Sequence, residues 1–160
     1  MKREQGFSLV ELLIVVAIIA IIAAIAVPSL LTSRMAANEA GSIQGCRTVA
    51  SAQVAFAATN NQMYTDLATL TTQNFLDTRY VAANGFNGYT YAEDQAILGL
   101  PATVPFAQPD GFGITADPIS GYGRYQYGIG PDQVVRFQSA PFGDPAPGNM
   151  VAGDGIGIRN

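Results

Sequence analysis

The chain has 160 residues, of which 12% are charged and 49% apolar, with a formal net charge of −4. The charged share is about half that of an average globular protein, and the length suits one compact domain plus an anchor. There is no histidine and only one cysteine, Cys46, which excludes an intrachain disulfide, a Cys–His or Ser–His catalytic pair and a zinc site of the usual type; no enzymatic activity is expected.

The only lysine, Lys2, is N-terminal, and the arginines beyond Arg3 (Arg34, Arg47, Arg79, Arg124, Arg136 and Arg159) are scattered. No basic stripe is available to neutralise phosphates, so nucleic-acid binding is not expected.

The first element is the apolar run. Leu12 to Val27 are sixteen consecutive apolar residues, and the run extends to Leu31 with only Pro28 and Ser29 intervening. With Phe7 to Val10 included it reaches about 25 residues, enough at about 1.5 Å each to cross a hydrocarbon core of roughly 30 Å. Lys2 and Arg3 precede it, so the N-terminus is expected in the cytoplasm and the chain beyond about Arg34 outside. The run is too long for a secretory signal peptide, and it contains Glu11, which a signal-peptide core avoids.

A plain membrane anchor accounts for everything except Glu11 and Pro28. A carboxylate in mid-membrane costs about 2.5–3.5 kcal/mol, less near the interface, and is normally paired. Lys2 and Arg3 could reach it by snorkelling. If the chain is cut after Gly6, the new α-amino group of Phe7 stands one helical turn away, at i to Glu11's i+4.

The stretch KREQG–FSLVELLIVVAIIAIIAAIAVPSL resembles the class III leader and N-terminus of type IV pilins and their pseudopilin relatives. The resemblance implies cleavage between Gly6 and Phe7 by a prepilin peptidase and N-methylation of Phe7. It also implies an assembly role for Glu11, and Pro28 falls where the family has a proline in its apolar helix. In that family the acid pairs with the N-terminal amine of a neighbouring subunit; a local pair with its own Phe7 amine is the alternative. Pro28 reads equally as a tolerated kink. Many members carry a glycine midway along the run, where this chain has Ala20.

The helical pattern continues past Pro28. Ile43, Cys46, Ala50, Val54 and Ala57 recur at spacings of three and four, flanked by Val49 and Phe56, a stripe suited to packing on a sheet. One helix from about Phe7 to Thr59 is expected, roughly 80 Å long if straight. Asn60 and Asn61 end it. Cys46 reads as a small packed residue, and Gly41 and Gly45 form a weak G-x-x-x-G signal for close helix packing in a filament.

A short helix around Leu67 to Thr72 is expected, with Asp66 as N-cap. Tyr64, Leu67 or Ala68, and Leu70 loosely resemble the connection that follows the helix in bacterial pilins and major pseudopilins. From Gly85 onward glycine and proline become frequent, and GYTYAED, FGITADP, RYQYGIG and QVVRFQS read as strands. Gly130-Pro131-Asp132 joins the last two as a hairpin. Tyr125, Tyr127 and Ile129 share a face, as do Val135 and Phe137; one face of this sheet should cover the helix stripe. The aromatic content, 9%, is ordinary for such a domain and reads as packing, not electron conduction. The tail APFGDPAPGNMVAGDGIGIRN reads as irregular surface. No cofactor is expected; Asp144 and Asp154 are a weak possibility for calcium, since no D-x-D-type loop is present.

The expected fold class is α+β, a pilin fold with a long N-terminal helix on a small antiparallel sheet. The expected organisation is a leader over 1–6, a transmembrane and filament-core helix half over 7–33, and a globular head over 34–160. Within the head the helix ends at about 59, followed by a connecting loop over 60–84 and a sheet with C-terminal loop over 85–160. The resemblance implies a subunit that begins as a single-pass inner-membrane protein and ends in an extracellular pilus serving twitching motility or adhesion. Its partners would be copies of itself, the prepilin peptidase and methyltransferase, an inner-membrane platform protein and assembly ATPases. Two other readings stand beside it: a pseudopilin of a type II secretion system, and a monomeric membrane-anchored periplasmic binding module.

Overall fold

The computed structural model describes residues 7–93 and 111–139. Its first element, α1 (Leu9–Thr59), is 51 residues long and passes through Pro28 without interruption. By contact density the chain divides into two compact units, Met1–Arg34 and Met35–Asn160.

In the first unit, every large apolar side chain from Phe7 to Leu31 is at least 50% exposed. In a membrane a helix needs no tertiary support here, because apart from the donor missing at Pro28 its backbone hydrogen bonds close within the segment. The stretch is long and apolar enough to cross a membrane.

In the second unit the rest of α1 lies on a four-stranded antiparallel sheet, in an α+β arrangement. The strands are β1 (Tyr89–Glu93), β2 (Ile114–Pro118), β3 (Tyr125–Ile129) and β4 (Arg136–Ser139), in the spatial order β1-β2-β3-β4. Register is fixed by pairs such as Tyr91 with Ala116, Ala116 with Tyr127, and Tyr127 with Phe137. Each of the four strand-like runs in the sequence contains a strand; the last residue of GYTYAED, Asp94, lies outside the described residues. Gln133 to Val135 belong to the turn before β4, where Gln133 takes a left-handed φ of 57°.

The helix ends as its sequence foretells. Past Thr59, Asn61 adopts φ 53° and the Gln62 amide donates to the Ala57 carbonyl, 2.9 Å away, an asparagine-assisted stop. The short helix α2 (Leu67–Thr72) follows, capped by Asp66, which accepts from the Thr69 amide. Leu67 and Leu70 are buried, whereas Ala68 is exposed, so Leu67 is the packed member of that pair.

The core joins α1 to one sheet face. Cys46, Val49, Ala50 and Phe56 pack with Leu70, Tyr89, Tyr91, Ile114, Tyr127 and Ile129, with Tyr125 and Phe137 at the margin. The buried helix stripe differs from its sequence expectation most clearly at Gln53 and Val54. Val54 is 41% exposed, and Gln53 is fully buried in its stead. The reason is hydrogen bonding: Gln53 Oε1 accepts from the Thr65 amide at 3.1 Å and its Nε2 donates to the Thr65 carbonyl. A buried amide that pairs both ways with one backbone unit leaves no polar group orphaned.

Candidate assembly helix

The helix begins with a half capping box. Ser8 precedes Leu9, the first helical residue, and its backbone N–H donates to Glu11 Oε2 at 2.9 Å. Serine followed three residues later by glutamate, just ahead of an apolar run, is a sequence signature of a helix start. The signature is present in FSLVE, where the same acid is also the one charge of the apolar run. The contact turns the carboxylate back along the chain, toward Phe7, whose side chain is 88% exposed. Gly6, Lys2 and Arg3, together with the whole leader reading, lie outside the described residues.

At Pro28 the helix lacks one backbone donor, since proline has no N–H to offer the carbonyl four residues earlier. Just beyond it, hydroxyls bond back to the backbone. Thr32 Oγ1 and Ser33 Oγ each donate to the Ser29 carbonyl at 2.9 Å. Such back-bonding keeps polar side chains satisfied at the end of an apolar run.

Within the second unit, α1 is fastened to the rest of the unit by three contacts that the sequence pattern does not announce. The Glu39 carboxylate is only 8% exposed. Its Oε1 accepts from the Arg124 backbone N–H and from Nε, both at 3.0 Å, and its Oε2 accepts from Nη2 at 3.1 Å. The hydrogen bonds from the Arg124 guanidinium hold the Glu39 carboxyl below its usual range, against the opposing effect of burial. One residue earlier, Asn38 Nδ2 donates to the Tyr122 carbonyl at 3.0 Å. The turn between β2 and β3 is thereby bolted to the helix.

The second contact is Gly45. A Cβ there would stand 2.1 Å from Tyr91 Oη and 2.8 Å from Cζ, so the tyrosine ring occupies the space that a side chain would need. Gly41 faces Asn87 in the same way, with 2.9 Å from such a Cβ to Nδ2. Both glycines of the G-x-x-x-G thus receive groups from within their own unit. The hydroxyls Ser42 Oγ and Tyr91 Oη are both buried, and burial pushes the Tyr91 phenol well above its ordinary value, partly offset by the neighbouring Ser42 hydroxyl.

The third contact is Gln53 with Thr65, described above. Between these, Cys46 is completely buried, and desolvation pushes its thiol up to about 12, so it packs as an apolar residue. Tyr64, which borders the core, packs at a tilt against Phe112 with ring centroids 5.1 Å apart. Among the described residues no three metal-ligating side chains gather. Asp144 and Asp154 lie outside the described residues.

Residues 1–27 match the family model described as the prokaryotic N-terminal methylation motif. A motif of this kind is the class III leader found on type IV pilins and pseudopilins. The motif implies processing by a prepilin peptidase and assembly into a filament. A leader of this kind joined to an apolar helix fits a membrane-anchored precursor. No curated protein matches the chain.

Proposed function

We propose that this chain is the structural subunit of an extracellular type IV pilus. It is inserted once in the inner membrane, cut between Gly6 and Phe7, N-methylated at Phe7, and polymerised through residues 7–33 while residues 34–160 form the exposed head. The observation that carries this reading is the combination at one end of α1: apolar side chains exposed from Phe7 to Leu31, one acid in the first turn, and a methylation motif over them. Exposed apolar surface on this scale must be covered, first by lipid and then by the same helix of neighbouring copies. Replacing lipid contacts by helix contacts is how a membrane span can leave the bilayer.

On this reading Glu11 and Pro28 are assembly residues. Glu11 neutralises an N-terminal amine in the filament core, and Pro28 sets where the apolar half can bend. The partners are the peptidase and methyltransferase, an inner-membrane platform protein, assembly ATPases and further copies of the chain, and the filament serves motility or adhesion. The test is labelled-antibody electron microscopy of cells producing the chain. Labelled filaments extending beyond the cell surface support a pilus; labelled filaments confined to the envelope point to a secretion pseudopilin; a chain found only as a membrane-bound monomer overturns both.

A further inference from the structure

Two turns of the second unit, residues 82–88 and 118–123, meet α1 at Asn38, and neither carries a charged side chain. They are tied to each other and to the helix. The Ile119 N–H donates to the Gly88 carbonyl at 2.9 Å, the Tyr122 N–H to the Ile119 carbonyl at 2.9 Å, and Asn38 Nδ2 to the Tyr122 carbonyl at 3.0 Å. Beside them Glu39 and Arg124 neutralise each other. What the turns present outward is Tyr122, which is 52% exposed. Next to it stands Gly121, where an added Cβ would meet no atom of the described residues within 4 Å. An apolar ring with a polar tip, on an uncharged turn that already pairs several of its backbone groups, suits the bilayer interface, where tyrosine concentrates.

We propose that these turns are a lipid footprint: before assembly, Tyr122 rests in the headgroup layer of the membrane that holds residues 7–31. This rests on the reading of the apolar run as a membrane span. The occupant follows from continuity of the chain. Asn38 is seven residues after Leu31, where the run ends, and seven residues reach at most about 25 Å even when fully extended. The turns are therefore held beside the bilayer surface. A short tether makes the second contact intramolecular, so a weak preference for the interface is enough to populate it. Arg34, the first cation after the run, lies between them in sequence and is exposed, which suits it to lipid phosphate. The turn between β3 and β4, at the opposite end of the sheet, carries the exposed acid Asp132 instead. Entry into a filament then requires release of the footprint from lipid as well as withdrawal of the helix.

The chain contains no tryptophan, so a single one reports alone. The full chain is reconstituted in vesicles of phosphatidylethanolamine and phosphatidylglycerol that carry nitroxide lipids, with iodide available on both sides. Fluorescence of Tyr122→Trp should be quenched by nitroxide at the headgroup. Val134→Trp, on the exposed turn between β3 and β4, should ignore the nitroxide and be several-fold more open to iodide. Ile19→Trp, within the apolar run, should be quenched by nitroxide on the acyl chains. Ser120→Trp, exposed in the same turn as Tyr122, gives the same reading should Tyr122→Trp not fold. If both turn reporters behave like Val134→Trp while Ile19→Trp is quenched, the proposal is overturned and the span stands. Protection from iodide without quenching by nitroxide means that protein, not lipid, covers the turn, and overturns it equally. An unquenched Ile19→Trp shows that the run does not insert, and the span fails with the proposal.

Discussion

Gly41 and Gly45 stand one helical turn apart on α1, yet alanine is expected to act in opposite directions at the two positions. At either site, replacing glycine within a helix gains about 1 kcal/mol of propensity. At Gly41 the new methyl would meet Asn87, an exposed side chain whose amide can swing aside, so most of that gain survives. At Gly45 the methyl would lie 2.1 Å from Tyr91 Oη. The ring cannot retreat freely, being 9% exposed and packed edge-on against Tyr80 with centroids 5.0 Å apart. Overpacking of this kind costs about 1–3 kcal/mol, and a contact as close as this one falls at the upper end, which leaves Gly45→Ala destabilising by up to about 2 kcal/mol after the helix gain. For a head of this size that is a fall in Tm of about 5 °C, against a rise of up to about 3 °C for Gly41→Ala. Thermal unfolding of the full chain in detergent micelles, followed by near-ultraviolet circular dichroism of the tyrosines, measures both. Tyr91→Phe removes the oxygen nearest the added methyl and should relieve part of the Gly45→Ala penalty, a coupling of about 1 kcal/mol. Equal stabilisation by the two alanines would refute the packing argument. Unchanged stability with filament growth lost in both would return the pair to a role between subunits.

The remaining expectations concern the other fastenings. A carboxyl whose pKa is lowered on folding stabilises the fold fully above its unfolded value, 4.5 for Glu39, and loses that contribution as pH falls through the lowered folded value. Tm should therefore drop as pH falls below about 4.5, and the drop should be smaller in Glu39→Gln; an identical pH profile in the variant would remove Glu39 as a cause. Gln53→Leu keeps the volume but orphans the Thr65 amide and carbonyl, and urea unfolding should show a loss of about 2–3 kcal/mol. Cys46, buried with its thiol pushed up to about 12, should resist maleimide in the native chain and react in denaturant. Rapid native labelling would show that the helix opens from the sheet.

Much of this molecule could be read from periodicity and turn chemistry. The N-cap at Asp66, the stop at Asn61 and the four strands all depend on local preferences, which a sequence displays directly. The errors fall where tertiary hydrogen bonding overrides the pattern. Val54 matches the apolar period and lies outside, while Gln53 breaks it and lies inside, because a polar side chain with two backbone partners can be buried at little cost. Glu39 and Arg124 are 85 positions apart, and no local rule joins them. The only hint was a charged residue on an otherwise charge-poor helix. Gly45 was legible as a glycine needing close approach, but not which group approaches. At the assembly helix the reverse holds: Phe7, Glu11 and Pro28 were singled out by sequence, and the contact between Ser8 and Glu11 was signalled by the same residues.

The most direct test of the filament-subunit account is the intact mass of the exported chain, recovered from the cell surface or envelope. The expected species begins at Phe7 and carries one added methyl group at its N-terminus, with residues 1–6 absent. A chain that retains Met1, or one that begins at an unmethylated residue elsewhere, would contradict processing at Gly6 and with it the role given to Glu11.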